Sequence, residues 1–385
     1  MRMISAHSGS GGEFEIAIDG LAVGGDGVGR HEGQVCFVPY GVPGDIVRVR
    51  ITRQTKSALW AEIRDVVSPS ADRVVPVCPC FGRCGGCCWQ HIAYPVQERW
   101  KHRIVAETVR RLGGVEAVVG WVAEPASSFG YRTRARFHVE GKAVGFLASG
   151  SHTVVDIENC PVCHDRLNAA LACLREQPEK ADVEVTVNPE GEETLVWTRC
   201  RALRSAFLDM KSFLFDGVPI INGCFSQASL ILNRLLRRVV DDHVGMPSTL
   251  LDLYCGNGNL SLHHAAHARV VGLDRDPRAT KAASRIATGS YRAGSEEAFC
   301  KMLCKAWDVV LLDPPRTGAK SIMESLGKAV ANAIVYVSCD PATLARDIRI
   351  LSAHGWKPVR ITALDLFPHT SHVETVCRLE RTTAV

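Results

Sequence analysis

The chain has 385 residues, a formal net charge of +4 and 46% hydrophobic residues, enough apolar content for buried cores and more length than one ordinary domain uses. Its opening "MRMISAHSGSGGEFEIAIDG" lacks the apolar core of a secretory signal, and nowhere do eighteen apolar residues run uninterrupted, so a cytoplasmic protein without a membrane span is expected. So mild a charge permits a nucleic-acid partner without requiring one, and sixteen cysteines are too dilute for a disulfide scaffold, which turns attention to metal or catalytic roles for the clustered ones.

From Glu13 to about Val67, short β-branched runs ("EFEIAID", "QVCFVPY", "DIVRVRITRQ", "LWAEIRDVV") alternate with Gly-rich turns such as "VGGDGVGRHEG". That spacing predicts a small closed antiparallel barrel. "SPSADR" reads as a linker into "CPCFGRCGGCCWQH", residues 78–91, which holds five cysteines. Pro95 to Leu112 carries apolar positions at helical intervals and stops at Gly113-Gly114, as a helix should. Strands and short helices follow from Phe129 to about Asn222. Beyond "RLLRRVVDDHV", apolar strands that each feed a helix predict a doubly wound, mostly parallel sheet. The expected division is 1–70 (OB-like barrel), 71–220 (small α+β central domain) and 221–385 (Rossmann-like α/β domain).

Ligands of such sheets sit beyond the carboxyl ends of the strands. The first of these loops is Leu251-Asp-Leu-Tyr-Cys-Gly-Asn-Gly-Asn259, whose two glycines allow a tight turn and close backbone approach. The second strand ends at Asp274, roughly twenty residues on, where a carboxylate can accept hydrogen bonds from ribose hydroxyls. Together they indicate an adenosine-type ligand; a packing turn followed by a surface aspartate is the alternative. The third glycine of the dinucleotide fingerprint and any Gly-Lys-Ser/Thr phosphate loop are missing, which favours S-adenosyl-L-methionine.

The third strand, "VVLLDPPR", delivers Asp313 and two prolines that rigidify the loop. The fourth, "AIVYVSC", puts Cys339 at its tip, with Pro341 opening the next helix; a helix N-terminus there would favour a thiolate, against the alternative of a structural cysteine. "LFPHTSHVETV" places His372 and Glu374 before a final apolar run. A methyl sulfonium donor, a thiolate and a carboxylate combine naturally in methylation at C5 of a pyrimidine. Thiolate addition to C6 makes C5 nucleophilic, and a base must then remove the C5 proton. Cys339 is the candidate nucleophile and Glu374 the candidate base, with His372 or a water as lesser choices.

An RNA partner would need local positive charge. "YRTRARFHV" sets Arg132, Arg134 and Arg136 at alternate positions, one face of a strand suited to phosphates; a solvated basic edge is the alternative. In the barrel, Arg48, Arg50 and Arg53 are the expected contributors. A uracil within a stack hides C5 and C6, so the target base must be flipped out. For the cysteine cluster three readings stand: a zinc site completed by Cys160-x2-Cys163, a radical S-adenosyl-L-methionine cluster on Cys80-x3-Cys84-x2-Cys87, or a structural [4Fe-4S] cluster with four thiolates.

The motifs "FSQ", "DLYCGNGNLSL", "LLDPPR", "VSCDPATLARD" and "FPHTSHVE", in that order, resemble the RNA (uracil-5-)methyltransferase family, and within it the iron–sulfur-containing 23S ribosomal RNA members with an N-terminal TRAM domain. The resemblance implies that Cys339 is the nucleophile and Glu374 the general base, with Gln227, Tyr254, Asn259, Asp274 and Asp313 lining the cofactor and uracil pocket. It implies a [4Fe-4S] cluster on Cys78, Cys84, Cys87 and Cys160, with Cys80 an alternative to Cys78, and an enzyme acting on 23S rRNA; a monomer is expected. A tRNA substrate by the same mechanism is the next reading, ahead of a radical methylase or a non-catalytic RNA-binding protein. Three positions depart from the family pattern: Asp340 stands for Asn, Asp274 for Glu and Ser229 for Asn.

Overall fold

The structure, a computed structural model, describes residues 12–176, 180–200 and 210–381; most of the opening stretch examined for a signal lies outside them. The chain forms two compact units, the first comprising residues up to 82 with 87–100 and 369–371, the second 83–86, 101–368 and 372 onward.

In the first unit, β1 (Glu13–Ala17), β2 (Gly20–Leu21), β3 (Gly27–His31), β4 (Gln34–Val38), β5 (Ile46–Gln54) and β6 (Ala58–Ser68) make one sheet in the order β1-β5-β6-β4-β3-β2. Alternate residues Ile16, Ile18, Cys36, Val38, Val47, Val49, Leu59 and Ala61 turn inward to form its core, the period-two pattern the sequence shows. The sheet is not wholly antiparallel, because β4 and β6 run parallel. It curls back on itself, because its opposite edge strands β1 and β2 are joined through only Ile18 and Asp19. The cysteine-rich segment is seated here by Trp89, fully buried, whose indole donates to the Gly25 carbonyl at 2.8 Å.

The second unit is built on an eight-stranded sheet, β17 (Ser290–Ala293), β16 (Arg269–Asp274), β15 (Thr249–Leu253), β18 (Trp307–Leu312), β19 (Ala331–Ser338), β21 (Glu374–Arg381), β20 (Trp356–Leu364) and β7 (Val119–Val122), in that order. β15 to β19 are parallel, and β21 enters antiparallel between β19 and β20. Strand order reverses at β15, with β16 on one side and β18 on the other. That is the switch point where a crevice opens beyond the carboxyl ends. A five-stranded antiparallel sheet, β10 (Val154–Asp156), β9 (Ala143–Leu147), β8 (Arg134–Glu140), β11 (Ala181–Val187) and β12 (Thr194–Thr198), carries α2 (Asp165–Arg175); β13 (Ser212–Phe215) and β14 (Val218–Ile221) form a hairpin. The helix α1 (Tyr94–Gly113) ends as the sequence predicts, with Gly114 at φ +67, a conformation glycine adopts without strain. The other helices are α3 (Leu230–Val244), α4 (Pro277–Ile286), α5 (Glu296–Leu303), α6 (Met323–Gly327) and α7 (Pro341–Ala353).

Candidate active site

Sheet register gathers the site. Leu253 pairs with Leu273 and with Leu312, so Tyr254, Asp274 and Asp313 are the next residues at the carboxyl ends of adjacent strands. Ser338 pairs with Thr375, so Cys339 at the carboxyl end of β19 and Glu374 at the amino end of antiparallel β21 continue the register as neighbours. Directly opposed residues of such a pair hold their Cβ atoms about 5 Å apart. All of these side chains, with Gln227 and Asn259, line one cavity of about 750 Å³ within the second unit, a size that suits a small ligand with a nucleobase beside it.

The glycine-rich turn after β15 is shaped by an unusual backbone. Tyr254 has φ +61 although it carries a side chain, and Gly256 and Gly258 follow at φ +52 and +80; strain of this kind is retained where the surroundings enforce it. Asp274 ties the turn to the second strand, accepting from the Gly256 N–H at 2.9 Å and from the Asp276 N–H at 2.8 Å. Asn259 and Asn233 of α3 exchange reciprocal amide hydrogen bonds at 2.7 and 2.9 Å. Gln227 sits in a segment fixed by β8: the Ala228 carbonyl accepts from the Thr133 and Arg134 N–H groups, and Ser229 caps α3 by accepting from the Leu232 N–H at 3.0 Å. Serine and asparagine serve equally at that position, which explains how the departure at Ser229 is tolerated.

Acidic side chains crowd the floor. Burial pushes the Asp252 carboxyl up to about 8, with Asp313 and Asp274 adding repulsion, while the Ser261 hydroxyl donates to it at 2.5 Å. Burial and Asp274 bring Asp313 to about 7. Glu374 is held well above the usual carboxylate range by burial and Asp313, with Arg316 opposing. Cys339 is also pushed up, to about 11, by burial and then by Glu374 and Asp313, again against Arg316. The N-terminus of α7 is taken by Asp340, whose carboxylate accepts from the Thr343 N–H at 2.7 Å. That cap also accounts for Asp340, since aspartate and asparagine both fill it. His372 is kept neutral, at about 4, by loss of solvation and the charges of Arg316, Lys101 and Arg132. Asp252 and Arg316 escape the sequence reading, although an acid inside the apolar "LLDLY" and the arginine closing "DPPR" are visible there.

The three arginines of "YRTRARFHV" do line one wall of the cavity. They are not three equal phosphate contacts, because Arg134 is paired with Glu184 at 2.7 Å and donates to the Ser226 carbonyl at 2.6 Å. Arg136, opposite Glu184 in the β8–β11 register, stays exposed. In the barrel, Arg48 and Arg50 bond Glu15 and Glu62 across the strands at 3.1 and 2.6 Å, whereas Arg53 lies 3.9 Å over Trp60, itself stacked on Phe37. Cys78 and Cys87 belong to the first unit, Cys84 and Cys160 to the second. The Cys163 thiol and the N–H groups of Val162 and Cys163 lower Cys160 to about 6 despite its burial, and the Gly86 N–H donates to Cys84 Sγ at 3.4 Å.

A doubly wound sheet whose switch-point crevice joins a glycine-rich turn, an acid at the tip of the second strand and a cysteine–carboxylate pair defines an S-adenosyl-L-methionine-dependent methyltransferase. Residues 301–382 match the family tRNA (Uracil-5-)-methyltransferase, and residues 9–63 match the TRAM domain. The 23S rRNA (uracil(1939)-C(5))-methyltransferase RlmD of Aeromonas hydrophila is 31% identical over 96% of this chain and 96% of its own length. An "Uncharacterized RNA methyltransferase" of Gloeobacter violaceus is 34% identical over 95% and 96%. The crystal structure of Pyrococcus abyssi tRNA (uracil-54, C5)-methyltransferase in complex with S-adenosyl-L-homocysteine superposes with a TM-score of 0.76 at 25% identity, covering 95% of this chain and 99% of that one. The chain belongs to the RNA (uracil-5-)methyltransferase family, as a member with an N-terminal TRAM domain. Among the described residues no helix is long and apolar enough to cross a membrane.

Proposed function

We propose that this protein methylates C5 of a uridine in 23S rRNA, with Cys339 as nucleophile and Glu374 as base. The observation that carries this reading is the register that sets those two side chains together in the cavity that also holds Asp274. The Cys339 thiolate adds to C6 of a flipped-out uracil, and the resulting enolate takes the methyl group at C5 from the sulfonium of S-adenosyl-L-methionine, releasing S-adenosyl-L-homocysteine. Glu374 removes the C5 proton, the Cys339–C6 bond breaks and the C5–C6 double bond returns. Gln227, Tyr254, Asn259, Asp274 and Asp313 are the proposed contacts to cofactor and base. The relatives named for 23S rRNA support that substrate over tRNA. Mapping 5-methyluridine in total RNA from cells with and without the chain tests this: loss of one 23S rRNA site is expected, loss of a tRNA site would favour the second reading, and no loss would refute both.

The acidic floor predicts a charge preference between cofactor and product. Asp313, near 7, is mostly protonated at pH 6 and mostly ionised at pH 8, and only the ionised form attracts the sulfonium. Affinity for S-adenosyl-L-methionine relative to the uncharged-sulfur product should rise about tenfold across that interval. Calorimetric titration of both ligands at the two pH values checks it, with Asp313→Asn expected to flatten the dependence.

We further propose that Cys78, Cys84, Cys87 and Cys160 hold a [4Fe-4S] cluster. The donor chemistry supports it: the Cys163 thiol and neighbouring N–H groups lower the Cys160 thiol and Cys84 accepts an N–H···S bond, the kind of donors that stabilise cluster thiolates. With four protein ligands the cluster would leave no iron open to substrate. Anaerobically purified protein should contain about four irons per chain; Cys84→Ser and Cys160→Ser should lose them, and Cys80→Ser should not. Stoichiometric zinc in their place would overturn the assignment.

A further inference from the structure

On another part of the second unit, Asp241 in the last turn of α3 meets His263 and His264, consecutive residues of the 3-10 turn Leu262–Ala266 that ends the cofactor loop. Asp241 Oδ1 lies 2.6 Å from His263 Nε2 and 3.2 Å from His264 Nε2. The two imidazoles stand 4.2 Å apart, and the ligand atoms of the three residues all lie within 4.8 Å of one another. Among the described residues no other such triad of His, Cys, Asp and Glu is found. An ion pair between aspartate and one imidazolium would explain the His263 contact alone. His264 is 2% exposed, and its Nε2 faces the same carboxylate oxygen at 3.2 Å without hydrogen-bond alignment. A buried ring nitrogen left in that state is costly. The other nitrogen of that ring is engaged, with Nδ1 3.4 Å from His267 Nε2. An Nδ1–H donated to a neighbour leaves the Nε2 lone pair pointing at the triad, the usual arrangement of a metal-bound histidine.

We propose that Asp241, His263 and His264 bind a divalent transition metal, with Zn²⁺ the best match. Two imidazoles and one carboxylate suit that ion, a water completing the tetrahedron. Asp241 and His263 are only half-buried, which gives the ion a way in and the ligands room to close to bonding distance. Its effect follows from its position. Asn233, two turns before Asp241 on α3, already grips Asn259, and the metal would fasten the far end of the same loop to the same helix. The site acts as a clamp on the cofactor loop, away from the reacting atoms.

Equilibrium dialysis of the full-length protein against Zn²⁺, followed by metal analysis, tests the site. Wild type should hold one more zinc per chain than His264→Gln or Asp241→Asn, with affinity at this site falling about 100-fold. Saturating Zn²⁺ should raise the melting temperature of wild type by a few degrees and leave His264→Gln unmoved. Co²⁺ bound in place of zinc should show d–d bands without thiolate charge transfer. Equal zinc in wild type and both variants, or zinc lost only in Cys84→Ser, would overturn the proposal; circular dichroism of each variant identifies loss by misfolding, and His263→Gln then repeats the test on the partly exposed ligand.

Discussion

Methyl transfer to RNA should vanish in Cys339→Ala, by at least about 10⁴-fold, while Glu374→Gln should leave the enzyme covalently attached to its substrate. The two outcomes differ because the residues act at opposite ends of the reaction. Without the thiolate, C5 never becomes a nucleophile, and S-adenosyl-L-methionine binding is untouched. Without the carboxylate, addition and methyl transfer proceed, but the C5 proton has no acceptor and the adduct cannot collapse. Denaturing electrophoresis with labelled RNA should show a cofactor-dependent shifted band for Glu374→Gln, only a trace for wild type and none for the double variant. Full turnover by Cys339→Ala would end the thiolate mechanism, and turnover by Glu374→Gln would pass the base role to His372 or water. The electrostatics add a second reading of the same variants. Cys339 sits near 11 partly because of Glu374, so the neutral amide should lower that thiol. Alkylation of Cys339 by iodoacetamide in the absence of RNA should therefore be faster in Glu374→Gln at pH 8, and slower in Arg316→Gln, which removes the opposing cation.

The catalytic half of this architecture is legible in the sequence because its signals are local. Four strands of the parallel sheet, β15, β16, β18 and β19, are largely apolar runs that lead to a polar residue or cysteine, and the crevice collects those ends: Tyr254, Asp274, Asp313 and Cys339. What is lost is what depends on distant packing. The stretch "VGGDGVGRHEG" reads as a turn since glycine usually marks one, yet it contains β3. Its glycines are there for clearance: a Cβ on Gly29 would stand 2.2 Å from the Ala17 carbonyl, and one on Gly27 2.8 Å from that of Gly41. Asp252 escapes because an acid between two leucines looks like the polar face of an ordinary strand, and only burial on both sides of the sheet makes it a protonated carboxyl. The surroundings of Cys339 are hidden for a related reason. A helix N-terminus follows it, but Asp340 occupies that terminus first, and proximity in sequence does not say which neighbour uses the dipole.

Lys101→Met should destabilise the second unit by about 3–5 kcal/mol, although Lys101 itself belongs to none of the sequence motifs. Lys101 and Asp365 are both 0% exposed and 2.7 Å apart, an ammonium–carboxylate pair taken wholly out of water. Lys101 also donates to the Phe367 carbonyl at 2.9 Å, and Asp365 Oδ1 accepts from the Phe367 N–H at 3.0 Å. The pair thus holds the turn between β20 and the segment that leads to His372 and Glu374. Methionine fills the same volume and leaves the Asp365 charge buried without compensation, which is costlier than losing the attraction itself. Thermal denaturation should show a fall of roughly 10 °C. If desolvated charge is the cause, Lys101→Met with Asp365→Leu should recover much of the loss, and a double-mutant cycle should return a strong favourable coupling. A stability loss in the double variant equal to the sum of the two single losses would show that the residues act independently. The double variant also separates stability from positioning: with the Phe367 backbone groups no longer held, it should regain its melting temperature and still turn over more slowly.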